Sequence, residues 1–181
     1  MINLNMQPHD AIEQMLREID APADTKRQYV ERLVQGQPTR DENPTTHFCS
    51  YFLPYRLSDQ KIFLEAHKKS GLWLAPGGHI DPGETPLEAA ERELDEELSL
   101  KQSIEKAKFL TITHIKRDIR ACTIHYDIWH FVPIEDGVTL PTTKEGEFDD
   151  ARWFSLDEAR KVVTDESNLK AIDFVEKIIL R

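Results

Sequence analysis

From Gly77 to Leu100 the chain reads Gly-Gly-His-Ile-Asp-Pro-Gly-Glu-Thr-Pro-Leu-Glu-Ala-Ala-Glu-Arg-Glu-Leu-Asp-Glu-Glu-Leu-Ser-Leu, a glycine loop run directly into a short acidic helix. Glu93, Glu96 and Glu97 fall at i, i+3 and i+4. On an α-helix those positions share one face, so the spacing predicts three carboxylates converging within about one turn. Like charges that close repel unless a cation neutralises them. Oxygen donors without cysteine suit a hard ion, Mg²⁺ or Mn²⁺. Leu87, Ala90, Leu94 and Leu98 recur at helical spacing on a second face and are expected to pack on a core. The carboxylate face therefore looks outward from a helix buried on its other side. Glu88 and Glu91 read as an ordinary solvated surface.

This spacing resembles the signature of the Nudix hydrolases, Gly-x5-Glu-x7-Arg-Glu-U-x-Glu-Glu-x-Gly-U, with U aliphatic. Gly78, Glu84, Arg92, Glu93, Leu94, Glu96, Glu97 and Leu100 are in register, and Ser99 alone departs, standing where the pattern has glycine. The preceding segment from Leu72 to Gly78 is similar to the loop that leads into this box. The resemblance implies an α/β fold, a mixed β-sheet sandwiched between helices. It also implies an enzyme that hydrolyses a diphosphate bond in a nucleoside diphosphate linked to another group, or in a nucleoside triphosphate, using Mg²⁺ or Mn²⁺. Glu93, Glu96 and Glu97 match the metal-binding and catalytic positions, and Gly77 is expected to offer its backbone carbonyl. The general base is expected to be a box glutamate, Glu93 first, or Glu145 or Glu147 on a later loop. Glu84 and Arg92 match a structural ion pair that ties loop to helix. Serine at position 99 takes the left-handed helix end at a cost of about 1 kcal/mol.

Candidate substrate contacts are His79 and Gly78 beside the box, Trp73 before it, and His125. His125 and His130 flank Asp127 in an alternating segment, with Tyr126 and Trp129 assigned to the alternate face. For these histidines and for Trp73, structural packing is the simpler expectation. The coenzyme A and NADH signatures known in the family are not found, and the proline typical of ADP-ribose enzymes would fall at His114. Two other readings are an isopentenyl-diphosphate-isomerase-like enzyme and a non-catalytic nucleotide-binding Nudix module. The first expects a cysteine context that Cys49 and Cys122 lack, and the second usually loses box carboxylates.

A chain of 181 residues fits one domain with an appendage. The net charge of −10 argues against nucleic acid or an anionic membrane as a standing partner and leaves a small nucleotide diphosphate compound. Cys49 and Cys122 lack metal-ligand spacing and read as buried thiols in a reducing compartment. No secretory signal or membrane-spanning run is evident, and a cytoplasmic protein is expected.

Residues 1–40 are expected to form a helical extension, and 45–181 the Nudix domain. The extension carries Ile12, Met15, Leu16 and Ile19, then Tyr29, Val30, Leu33 and Val34, with Asp24 as N-cap and Gly36 as stop. Two short helices of this kind need a surface to pack on, either the main domain or a second subunit, so a homodimer is a candidate assembly. Strands are expected at 47–55, 61–67, 109–115, 123–131 and 152–154, with a hairpin turn at Lys116-Arg117-Asp118. Helices are expected at 156–163, capped by Ser155, and at about 167–180.

Overall fold

The computed structural model describes residues 6–115 and 122–180. The elements run α1 (Pro8–Glu18), α2 (Ala23–Val34), β1 (Thr46–Arg56), β2 (Lys61–His67), β3 (Leu72–Leu74), β4 (Gly77–His79), α3 (Pro86–Leu98), β5 (Phe109–His114), β6 (Ile124–Pro133), β7 (Phe148–Ser155), α4 (Leu156–Val162) and α5 (Glu166–Ile179). The turn expected at Lys116-Arg117-Asp118 lies outside the described residues. Two short strands, β3 and β4, occupy what the sequence reads as loop.

One mixed sheet runs β3-β2-β1-β6-β5, with β4 added to β1 and β7 to β2. The axis is the parallel pair β1 and β6, in register from Thr46↔Ile124 to Tyr55↔Pro133. β1 and β2 pair only at Tyr55↔Ile62 and Arg56↔Lys61. Beyond that they part: β1 takes β4 as its neighbour, and β2 takes β3 and β7. The split opens a cleft between strands of one sheet.

Alternation along β1 sends side chains to two layers. Phe48 and Phe52 face α1, α2 and α3, whereas Leu53 and Tyr55 join Trp129, Phe131, Ala171 and Val175 under α4 and α5. The sheet is thus covered by helices on both faces, as the resemblance implies. Trp129 lies in the same layer as Tyr51, while Tyr126 packs with Tyr29 and Phe48 on the other. The joint assignment of Tyr126 and Trp129 to one face is therefore corrected. Residues three apart in a strand point oppositely, and Trp129 shares the side of His125 and Asp127.

The N-terminal hairpin packs on its own chain. Ile12, Leu16, Ile19, Tyr29 and Leu33 are buried against Phe48, Ile80, Ala89, Leu110 and Ile128, while Val30 and Val34 stay exposed. Tyr29 Oη lies 2.6 Å from the carbonyl oxygens of both Thr111 and Asp127. The α2 boundary differs from expectation: Pro22 is the N-cap, and Asp24 sits in the first turn without capping the helix by its side chain. Proline with its fixed φ starts the helix there, and the Asp24 charge still favours the N-terminal dipole. Among the described residues no helix is long and apolar enough to cross a membrane.

Candidate active site

Helix α3 is set by its ends. Thr85 and Glu88 form a reciprocal capping box, with Glu88 N–H donating to Thr85 Oγ1 (3.2 Å) and Thr85 N–H to Glu88 Oε2 (2.8 Å). Pro86 opens the first turn, and Ser99 closes the helix at φ 53°, the left-handed geometry that the glycine of the family pattern would adopt more cheaply. Ala90, Leu94 and Leu98 pack into the core with Phe52 and Phe63, so the acidic face is held rigidly toward the cleft.

The glycines of β4 permit a close approach on both sides. A Cβ on Gly77, which has φ 127°, would stand 2.6 Å from Ser50 O, against the β1 backbone. A Cβ on Gly78 would stand 2.7 Å from Glu93 Oε1. Gly77 N–H donates to Glu97 Oε2 (2.8 Å), and Ala75 N–H to Asn168 Oδ1 on α5 (2.8 Å). The glycine strand is therefore pinned from the box helix, and the segment leading into it from the C-terminal helix.

The three box glutamates do not converge as equals. Glu97 is 4 % exposed and Glu93 is partly buried, whereas Glu96 leaves 60 % of its side chain in solvent. Arg92 accounts for the difference. Its guanidinium donates to Glu84 through Nε (2.7 Å) and Nη2 (3.1 Å), to Glu93 through Nη1 (2.8 Å), and to Glu96 through the same nitrogen (3.1 Å). It also reaches His79 O (3.2 Å). Glu84 and Arg92 do form a fork that ties the 81–84 loop to the helix, and the same fork draws Glu96 off the cleft floor.

Glu65 joins Glu93 and Glu97 in the same cleft, and no box spacing marks it in the sequence. It lies on β2, is 2 % exposed, and its Oε2 has no hydrogen-bond partner. Burial, then Glu147 and Glu93, push its carboxyl up to about 8. Burial, then Glu65 and Glu93, push Glu97 well above the ordinary carboxylate range. Burial raises Glu93 as well, against the pull of Arg92. The available signal was one acid inside the apolar run Ile62-Phe63-Leu64-Glu65-Ala66. Buried charge of that kind is costly unless paired or bound to metal. Among the described residues neither Glu65 nor Glu97 has an ion pair with a basic side chain, so the carboxylates themselves fit a divalent cation.

The cleft holds about 1630 Å³ and is lined by Gly77, Gly78, His79, Glu93, Glu96, Glu97, His125, Glu145 and Glu147, with Glu65, Asp127 and Asn168 added. Glu147 is tethered by a tight turn, with Lys144 N–H bonded to Phe148 O (3.0 Å), and its charge is felt by Glu65, Glu93 and Glu97. Glu145 is exposed at the rim. Trp73 lies outside the lining: it meets the Phe154 ring edge-on at 5.0 Å and sits under the Arg152 guanidinium, because alternation in β3 turns its neighbours Leu72 and Leu74 to the cleft instead. His130 points away from His125 and bonds through Nδ1 to Glu105 O (2.9 Å).

Fold and site together define an α/β enzyme domain whose acidic helix stands against a glycine strand at the mouth of a split sheet. The NUDIX domain model matches residues 55–175, and the chain belongs to the Nudix hydrolase family. The fold is similar to solved structures of low sequence identity. The E. coli dihydroneopterin triphosphate pyrophosphohydrolase shares 18 % identity at a TM-score of 0.63, over 70 % of this chain and 92 % of that one. A C. elegans Ap4A hydrolase shares 17 % at 0.60, over 74 % and 97 %. A NUDIX hydrolase from Nitrosomonas europaea shares 19 % at 0.59, over 72 % and 88 %.

Proposed function

We propose that this protein hydrolyses a diphosphate bond in a nucleoside diphosphate-X or nucleoside triphosphate compound, with Mg²⁺ or Mn²⁺ as cofactor. The observation that carries the reading is the set Glu65, Glu93 and Glu97 around the glycine strand, with Glu65 Oε2 buried and unpartnered. Glu93, Glu97, Glu65 and the Gly77 carbonyl would hold the ion, and Glu96 would join them only by releasing Arg92. The cation supplies charge neutralisation on phosphoryl oxygens and an acidified water. Glu147 is the better placed of the two loop glutamates to take a proton from the attacking water, with Glu93 the alternative within the box and Glu145 at the rim. Arg92, held by Glu84, orients Glu93.

The cleft is ample for a nucleotide, and Gly78, His79 and His125 line its wall beside the glutamates. The activities of the E. coli and C. elegans proteins, on a triphosphate and on Ap4A, support a polyphosphate substrate. Both thiols are free and buried, in keeping with a reducing, cytoplasmic setting. The test is phosphate release from a panel of nucleoside triphosphates, dinucleoside polyphosphates and nucleotide sugars. Release that EDTA abolishes and Mg²⁺ or Mn²⁺ alone restores is expected. Undiminished release in metal-free buffer overturns the reading.

A further inference from the structure

A second set of donors gathers where β4, β1 and β6 run side by side, and it contains no carboxylate. One ligand atom each from His47, His79, Cys122 and His125 lies within 4.8 Å of the others. The backbone sets this up. His47 on β1 is in register with His125 on β6, and His79 on β4 pairs with Cys49, two residues along the same face from His47. The imidazole centroids are 4.8 Å (His47–His125), 4.9 Å (His47–His79) and 5.4 Å (His79–His125) apart. Cys122, just before β6, brings Sγ to 4.0 Å from His79 Nε2.

His47 shows what the group lacks. It is fully buried, and its Nδ1 lies 2.9 Å from Asn43 O, a carbonyl that can only accept. Nδ1 therefore carries the proton, and the lone pair is on Nε2, which is buried without a hydrogen-bond partner. Leaving a buried acceptor unpaired is costly. An imidazole whose far nitrogen donates to a backbone carbonyl is also the usual outer arrangement of a metal-binding histidine.

We propose that His47, His79, His125 and Cys122 bind Zn²⁺ as a four-ligand structural site, separate from the carboxylates. Three imidazoles and a thiolate suit a borderline-soft ion and exclude Mg²⁺. Zn–N near 2.0–2.1 Å and Zn–S near 2.3 Å imply donor separations of about 3.3–3.6 Å in a tetrahedron, so side-chain adjustments of about 1 Å close the site. With all four positions taken by protein, the ion clamps β4 to β1 and β6 and so fixes the strand that carries Gly77 and Gly78. A rival set of Cys49, His125 and Asp127 shares His125. It offers only three donors, and although Asp127 Oδ1 is buried without a hydrogen-bond partner, Oδ2 of the same carboxylate is engaged by the Thr111 and Thr113 hydroxyls.

The experiment strips the full-length protein with a chelator and titrates it with Co²⁺, a spectroscopic stand-in for zinc, in excess Mg²⁺. A thiolate-to-cobalt charge-transfer band and intense visible bands of a tetrahedral ion are expected at equimolar metal, bleached by Zn²⁺. Zn²⁺ should also raise the melting temperature. Cys122→Ser should remove the charge-transfer band, and His47→Gln should weaken Zn²⁺ binding by more than about 10-fold, the scale of losing metal-site interactions. Circular dichroism of each variant is the control for folding. Glu97→Gln should leave the cobalt spectrum intact, which separates this site from the proposed hydrolytic one. The proposal is overturned if folded wild type gives no such band. It is equally overturned if Cys49→Ser rather than Cys122→Ser removes the band, or if Glu97→Gln does.

Discussion

Gly77 N–H donates to Glu97 Oε2 across 2.8 Å, joining the glycine strand to the box helix at the most buried of the box carboxylates. Glutamine at position 97 keeps an oxygen for that bond and removes the negative charge. Glu97→Gln is therefore expected to preserve the fold and lower kcat by at least about 10²-fold, the size of a general acid–base or metal contribution. Glu88→Gln keeps the capping acceptor for Thr85 N–H and should leave kcat nearly unchanged. Steady-state kinetics on both variants checks this, and equal losses would show that the two faces of α3 have been assigned wrongly.

Gly78 is expected to be intolerant of a single methyl group for a reason located at Glu93. The 2.7 Å approach of a Cβ to Glu93 Oε1 forces the carboxylate aside, and Arg92, bound to the same oxygen, moves with it. Gly78→Ala should weaken Mn²⁺ binding and reduce kcat while far-UV circular dichroism stays as in wild type. Normal Mn²⁺ affinity, read by electron paramagnetic resonance, would remove Glu93 from the metal site.

Stability should fall as pH rises through neutrality when no divalent ion is bound. Glu65 is pushed from 4.5 to about 8, and Asp127 from 3.8 to about 8, chiefly by burial. The folded protein thus holds protons that the unfolded chain has lost, so this contribution is complete below the unfolded values and is lost as pH climbs toward 8. His79 and His130, depressed from 6.5 to about 3 and about 4, act in the opposite sense but only below 6.5. Between pH 6.5 and 8, then, the urea midpoint in chelated buffer should decline, Glu65→Gln should flatten the decline, and added Mg²⁺ should stabilise more at pH 8 than at 6.5. A midpoint that rises over this window contradicts the buried-carboxylate account.

Arg92 joins Glu84, Glu93 and Glu96, and a lysine cannot reproduce the fork. Arg92→Lys is expected to cost about 1–3 kcal/mol in chemical denaturation, since partly buried carboxylates lose their partner. It should reduce kcat more than it changes KM. Unchanged kcat would confine the pair to stability alone.

Local pattern carried most of what the sequence revealed. The box helix, the strand at 61–67 and the Ser155 cap are short-range signals, written in spacing and capping chemistry, and the structure places them within a residue or two. Long-range facts were hidden. The convergence of Glu65 with Glu97 depends on β2 parting from β1, and the meeting of His47 with His79 and His125 depends on three strands becoming neighbours. β3 and β4 are three residues each, too short for alternation to register. Glu96 was legible as a box position, but not its capture by Arg92, which is a contest between a cation and a cleft on one helix face.

The N-terminal hairpin covers apolar surface of the sheet and is expected to stabilise the domain without serving the metal. Its removal would expose Phe48, Ile80, Leu110 and Ile128, which no other element described covers in the same way. Tyr29→Phe isolates the polar part of the joint. The hydroxyl, whose single proton is shared between Thr111 O and Asp127 O at a paired position of β5 and β6, is lost, at about 1 kcal/mol. We expect Tyr29→Phe to lower the melting temperature and deletion of residues 1–40 to lower it much further, while Mn²⁺ affinity of whatever remains folded is little changed. Because the buried face of the hairpin is met by its own chain, sedimentation should show no change in subunit number on Tyr29→Phe. A deletion variant that melts at the wild-type temperature would show that the contacts of Ile12, Leu16, Tyr29 and Leu33 contribute nothing to stability.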